Sequence, residues 1–148
     1  MKKLIDEKVS FSTLVRVSQG RAYDAITTVE GLDAWFTTGA SVDARPGGSI
    51  IFRWKDWGPE RYTGENGGPV LEAKWPEHFI FQWKADSLSY DTTVEIYFEP
   101  TGEGTVVTLK EYGFEDSPAG LKDMLNRASG WAQALTLMKF YLEHGVKY

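Results

Sequence analysis

The chain is 148 residues long and carries 16 Lys and Arg against 21 Asp and Glu, a net charge of −5. That length suits one domain, and the acidic balance with no basic stripe excludes nucleic acid as a partner. The absence of cysteine removes disulfides, thiolate metal sites and cysteine nucleophiles together, and suits the cytoplasm.

No apolar run approaches the roughly 20 residues that cross a bilayer, so no membrane partner is expected. The start, Met1-Lys2-Lys3-Leu4-Ile5-Asp6, has a basic pair but lacks the apolar stretch of a secretory signal. The hydrophobic share of 42% and charged share of 25% are ordinary for a globular chain. Six Trp, seven Tyr and eight Phe are not ordinary. Such large, stiff and partly polar rings build either a bulky core or a wall for a ligand.

Val9, Phe11, Val15 and Val17 alternate with Ser10, Ser12 and Arg16, which predicts a first strand over 9–17. Ser18 then caps a helix over 19–28 with Ala22, Ala25, Ile26 and Val29 as its apolar stripe. Gly31 interrupts, and a second short helix runs over 32–36. Arg45-Pro46-Gly47-Gly48 has Pro and Gly where a type II turn needs a fixed and then a positive φ. A strand over 49–54 puts Ile50, Phe52 and Trp54 on one face. The next strand, 61–75, is broken at Gly64-Glu65-Asn66-Gly67-Gly68-Pro69, read as a bulge or surface loop.

Phe79, Phe81 and Trp83 share a face on the following strand. Thr92, Val94, Ile96 and Phe98 share one on the next, with Glu95 turned to solvent. After the hairpin at Pro100–Gly104, a strand over 105–111 places Val107, Leu109 and Glu111 on one parity. Ser117 and Pro118 then start a long helix that ends near Gly145. Its apolar stripe reads Leu121, Met124, Leu125, Ala128, Trp131, Leu135, Met138, Tyr141 and Leu142. A helix with so broad a face must lie on something wide, and the concave side of the sheet is available.

This order of elements resembles the helix-grip fold, and particular residues sharpen the likeness. They are Leu32 with Trp35-Phe36, Asp43 leading to Gly47-Gly48, Pro76 with Phe81 and Trp83, and Gly104-Thr105 opening a strand that ends at Gly113-Phe114. Gly130-Trp131, Leu135, Leu142-Glu143 and Gly145 complete the set. Together they look like the START-like, or SRPBCC, family named for activators of the ninety-kilodalton heat-shock chaperone's ATPase. The pattern departs from the family at Glu65–Pro69. The resemblance implies an α+β, Bet v 1-like fold in which a curved antiparallel sheet wraps a long carboxyl-terminal helix, with two short helices, as a single domain over 1–148. It also implies an internal hydrophobic cavity; relatives in the superfamily bind lipids, sterols, hormones or polyketides, and a few catalyse cyclisation.

A catalytic reading needs a constellation, and the residues supply little of one. His78 at a strand entrance and His144 in the last turn of the final helix are read as surface residues. The chain lacks a Gly-x-Ser-x-Gly elbow, and Gly47-Gly48 and Gly67-Gly68 are turn or strand glycines rather than phosphate cradles. No cofactor, metal site or catalytic residue is expected. Among the strand carboxylates, Glu111 shares parity with Val107 and Leu109, a parity that reaches the pocket end, and the register of Glu72 is left open. The expectation for all of them is a solvated strand-face charge, and Arg53 has the outward parity. The expected role is binding of a small hydrophobic or aromatic ligand, with a protein-interaction module or a polyketide cyclase-like enzyme as alternatives. The ligand-binding set drawn from the family's shape is Trp35, Phe36, Phe52, Trp54, Trp83, Phe98, Phe114, Trp131, Leu135 and Met138. A homodimer and a chaperone contact stay open as partners.

Overall fold

A computed structural model describes residues 3–148; Met1 and Lys2, the start of the segment scanned for a signal, lie outside it. Alternating strands become one seven-stranded sheet in which every neighbouring pair is antiparallel. The strands are β1 (Val9–Val15), β2 (Ser41–Val42), β3 (Ser49–Trp57), β4 (Tyr62–Lys74), β5 (His78–Lys84), β6 (Asp91–Thr101) and β7 (Gly104–Tyr112). Their order across the sheet is β1-β7-β6-β5-β4-β3-β2. Two short helices, α1 (Gln19–Thr27) and α2 (Val29–Trp35), lie between β1 and β2, and α3 (Pro118–His144) closes the chain. This is the helix-grip arrangement.

Local chemistry sets the helix boundaries. The hydroxyls of Ser18, Thr28 and Ser117 accept from the amides of Arg21, Gly31 and Gly120, satisfying donors that a helix start leaves open. Gly145 ends α3 in the left-handed region at φ 69°. The α2 helix begins earlier than the sequence suggested, because Gly31 does not interrupt it. A side chain there would meet the Asp24 carbonyl oxygen at 2.5 Å, so glycine is what lets α1 and α2 pack so closely. Trp35 fastens the same joint, its indole N–H donating to the Ala25 carbonyl at 2.8 Å.

The type II turn forms as expected, with Gly47 at φ 84° and the Gly48 amide donating to the Arg45 carbonyl at 2.8 Å. The short strand β2 was not anticipated. The segment Gly64–Pro69 is neither loop nor bulge: it is continuous strand, paired residue for residue with β3 from Trp54↔Gly64 to Ser49↔Pro69. Irregularities flank it instead: the β3 register shifts between Trp54 and Trp57, and the pairing with β5 shifts between Val70 and Glu72. A Cβ on Gly67 would lie 2.2 Å from the Ile50 carbonyl oxygen, and one on Gly68 2.1 Å from that of Gln82. Neighbouring backbones on both sides crowd this strand, and only glycine admits that approach.

The inner faces bury Ile50, Phe52, Phe79, Phe81, Val94, Ile96, Phe98, Val107 and Leu109. Leu135, Met138 and Leu142 of α3 pack among them. The carboxyl-terminal half of α3 thus follows the expected stripe, but its first turns do not. Leu121 and Leu125 stand 47% and 59% exposed, while Gly120, Asp123 and Arg127 are buried instead. Hydrophobicity is overruled there by close packing and paired charge. A Cβ on Gly120 would strike the Glu115 carbonyl, Asp123 accepts from the Tyr90 hydroxyl at 3.0 Å, and Arg127 meets a buried carboxylate described below.

Three tyrosines carry a pH signature. Tyr23 is pushed up to about 12 by burial and then by the charge of Asp24. Tyr90 is pushed up to about 12 mainly by burial, its bond to Asp123 adding to the effect. Tyr112 reaches about 12 through its hydrogen bond to Glu95 and then burial. Between the ordinary value near 10 and 12, the folded chain therefore holds more phenolic protons than the unfolded one, and stability falls as pH rises. Urea midpoints are expected to stay level on these groups' account below about pH 9 and decline from about pH 10 to 12. Tyrosinate absorbance should show the three phenols still protonated at about pH 11; their full ionisation by then would overturn the assignment.

Candidate functional site

Where α3 crosses the ends of β3 and β4, the helix and sheet part. They leave a cleft of about 560 Å³ open to solvent. One wall is β3 and β4, with Trp54, Trp57, Tyr62, Glu65 and Asn66, joined by Glu60 from the connecting turn. Opposite stands α3 from Asn126 to Gln133, including Arg127 and Trp131. Phe36, just past α2, and Trp83 of β5 close the inner end, and the β5–β6 loop adds Ala85, Asp86 and Leu88.

The aromatic residues form one connected set. Phe36 makes edge contacts with Trp54 and Trp57 at centroid separations of 5.4 and 5.7 Å and lies 5.9 Å from Trp131. Trp131 stacks on Trp83 at 5.3 Å, and Tyr62 lies 5.7 Å from Trp54. Phe36, Trp83 and Trp131 are buried, whereas Trp54 and Trp57 are half-buried and Tyr62 is 48% exposed. The inner rings belong to the core, and the outer ones show part of their surface to the cleft.

Behind the aromatics sits Glu111, fully buried at 0% exposure. Its parity with Val107 and Leu109 brings it inward, against the expectation of a solvated strand-face charge. Oε1 accepts from the Trp131 indole N–H at 2.7 Å. Oε2 accepts from the Trp83 indole at 2.9 Å, the Thr92 hydroxyl at 2.6 Å and the Arg127 guanidinium. Three donors crowd Oε2 and one holds Oε1, and the carboxylate lies behind the aromatic rings rather than on the cleft surface.

Arg127 is equally committed. Its guanidinium also donates to the Lys84 carbonyl at 2.5 Å, reaches Asp86 at 3.3 Å and lies 4.5 Å over the Trp83 ring. The Asn66 side chain completes the floor, donating to that carbonyl at 2.8 Å and accepting from the Lys84 amide at 2.9 Å. Sequence reading missed Arg127, and the signal for it was indirect. A glutamate on an inward strand parity needs a cationic partner, and Arg127 shares a helical stripe with Gly120, Asp123 and Trp131. Trp57 shows the opposite condition: among the described residues its buried indole N–H has no acceptor.

Of the ten residues drawn from the family's shape, Phe36, Trp54, Trp83 and Trp131 line this cleft. Trp35, Phe52, Phe98, Phe114, Leu135 and Met138 are buried in the packed core and do not line it, Trp35 and Phe52 stacking behind Phe36 and Trp54. The space between the middle of α3 and the sheet is filled by side chains, and the opening lies at one end. His78 sits on the outer face, with Nε2 3.3 Å from Glu72. Arg53 also faces outward, bonding Glu65 at 3.1 Å, Ser41 at 2.9 Å and the Gly39 carbonyl at 2.7 Å. Among the described residues no helix is long and apolar enough to cross a membrane.

Solved structures share this architecture. A protein from Staphylococcus saprophyticus superposes with a TM-score of 0.77 at 25% identity, covering 96% of each chain. Aha1 from Colwellia psychrerythraea, solved in solution as a dimer, gives 0.75 at 21% identity over 94% of this chain and 98% of that one. DynU16, of the dynemicin biosynthetic locus, gives 0.81 at 18% identity; it covers 97% of this chain, which spans 51% of DynU16. No curated protein matches the sequence. Residues 16–143, nearly the whole of the sheet and all but the end of α3, match one family description, and the chain belongs to the Activator of Hsp90 ATPase homolog 1-like protein family.

Proposed function

We propose that the cleft binds a small hydrophobic molecule bearing an aromatic ring, and holds it without chemistry. The observation that carries this reading is the continuous aromatic wall from Trp131 to Tyr62 bordering about 560 Å³ of open space. That volume falls within the roughly 300–1,000 Å³ of small-molecule sites. Covering apolar wall would contribute on the order of 25 cal/mol per Å². The partnerless indole N–H of Trp57 supports the reading too, as a donor that an oxygen-bearing guest could answer.

An enzyme of the cyclase type is less well supported, because the buried Glu111 is held by four donors behind the aromatic rings and does not line the cleft. An interaction role draws on a different observation, the exposed Leu121 and Leu125 on α3, and a dimeric relative gives it a precedent. A single exposed pair is a smaller feature than the cleft, and ligand binding remains the better reading.

Titration with a neutral naphthalene alcohol tests it. Quenching of tryptophan fluorescence should accompany a rise in melting temperature. A ligand at about 100 times its Kd adds about 2.7 kcal/mol to stability. For a domain of this size that corresponds to roughly 5–10 °C. The absence of both quenching and a thermal shift across a panel of such compounds would sink the proposal.

A further inference from the structure

The charges around the cleft say which hydrophobic molecules it prefers. Its lining carries three carboxylates, Glu60, Glu65 and Asp86, and one cation, Arg127. Arg127 is 8% exposed and already bound to the fully buried Glu111, so its charge is answered before any guest arrives. Glu65 is paired with Arg53 on the outer face. Glu60 has no ion-pair partner among the described residues and stands exposed at the rim. Counting Glu111 and Arg53 with the lining leaves four carboxylates against two guanidiniums, a surplus of two negative charges beside aromatic faces.

Resting on the ligand-binding reading above, we infer that the cleft selects organic cations: aromatic amines or ammonium compounds whose charge lies between the indole faces and the acidic rim. Ring faces carry negative potential, and a cation over a Trp or Tyr face is attracted to it, the more so where water is excluded. The protein uses this attraction within the same cleft, where the Arg127 guanidinium lies 4.5 Å over Trp83. Trp54, Trp57 and Tyr62 keep part of their surface open for a second cation. An anionic guest meets the reverse. It would approach Glu60 and Asp86 while the one guanidinium it could use is held by Glu111, the Lys84 carbonyl and Asp86. The geometry fits a flat apolar body set against Trp131 and Trp54, with the amine outward near Glu60.

Three probes on one naphthalene scaffold separate the claims: naphthylmethylamine, naphthalenemethanol and naphthoate, each titrated at pH 7 by tryptophan fluorescence. The amine is expected to bind about fivefold or more tighter than the alcohol, and the carboxylate more weakly than the alcohol. The advantage of the amine should shrink in about 0.5 M salt. The exposed substitution Glu60→Gln should lower the amine's affinity more than the alcohol's and so remove much of that advantage; an equal change for both would overturn the role of the acidic rim. Equal binding of all three probes, or tighter binding of naphthoate, overturns the cation preference but leaves the cleft a ligand site. Failure of all three to bind overturns both readings.

Discussion

Replacing Arg127 with methionine is expected to lower stability by about 3–5 kcal/mol, the cost of stranding a buried carboxylate without its cationic partner. Melting should drop by roughly 10–15 °C for a domain of this length. The reverse change, Glu111→Leu, belongs at the top of the range. It takes away the buried partner of Arg127, leaving Asp86 and the Lys84 carbonyl, and also removes the acceptor of Trp83, Thr92 and Trp131. The double variant Glu111→Leu/Arg127→Met leaves no stranded charge, so it should be more stable than the summed single effects predict by about 1.5–3 kcal/mol. Urea titrations of the four proteins measure this directly. Additive losses would show that the two residues stand together without depending on one another.

Trp131→Ala is expected to act on stability and binding at once. Trp131 is buried against Trp83 and Phe36, and its N–H donates to Glu111 at 2.7 Å. Truncation removes about 3–5 kcal/mol of packing and widens the cleft at its narrow end. Naphthalene probes should lose most of their affinity. Leu135→Ala is the informative contrast. That residue is fully buried but does not line the cleft, so its truncation should cost about 2–5 kcal/mol while the folded fraction still binds. Equal loss of binding in both variants would refute a localised site at the end of the helix.

The two variants mark a division within α3 that periodicity could not resolve. Two stripes run up the first turns of this helix. One is apolar, through Leu121, Leu125 and Ala128; the other passes through Gly120, Asp123 and Arg127, and both arrive at Trp131. Read locally, the apolar stripe belongs inside. In the folded chain it is the one left exposed. The inner face instead takes a glycine against the Glu115 backbone, an acceptor for Tyr90 and a cation for Glu111. Those demands come from outside the helix: the Glu115 backbone just before it, Glu111 of β7 and Tyr90 in the β5–β6 loop.

The strand faces and helix caps needed no such information. Alternation alone put Phe52, Phe81, Val94, Ile96 and Leu109 on buried faces, because successive side chains on a strand must point to opposite sides. Ser18 and Ser117 marked helix starts because a hydroxyl at that position answers a free backbone amide. Counting from Leu109 gave the parity of Glu111, but not that a charge would be buried there. These are properties of a residue and its near neighbours, and so they are written in the order of the amino acids. The straight course of β4 through Gly67 and Gly68, the inward turn of Arg127 and the position of the cleft at one end of α3 depend on backbones and charges brought together from distant segments. Only packing in three dimensions decides which of two locally acceptable arrangements leaves no buried charge alone.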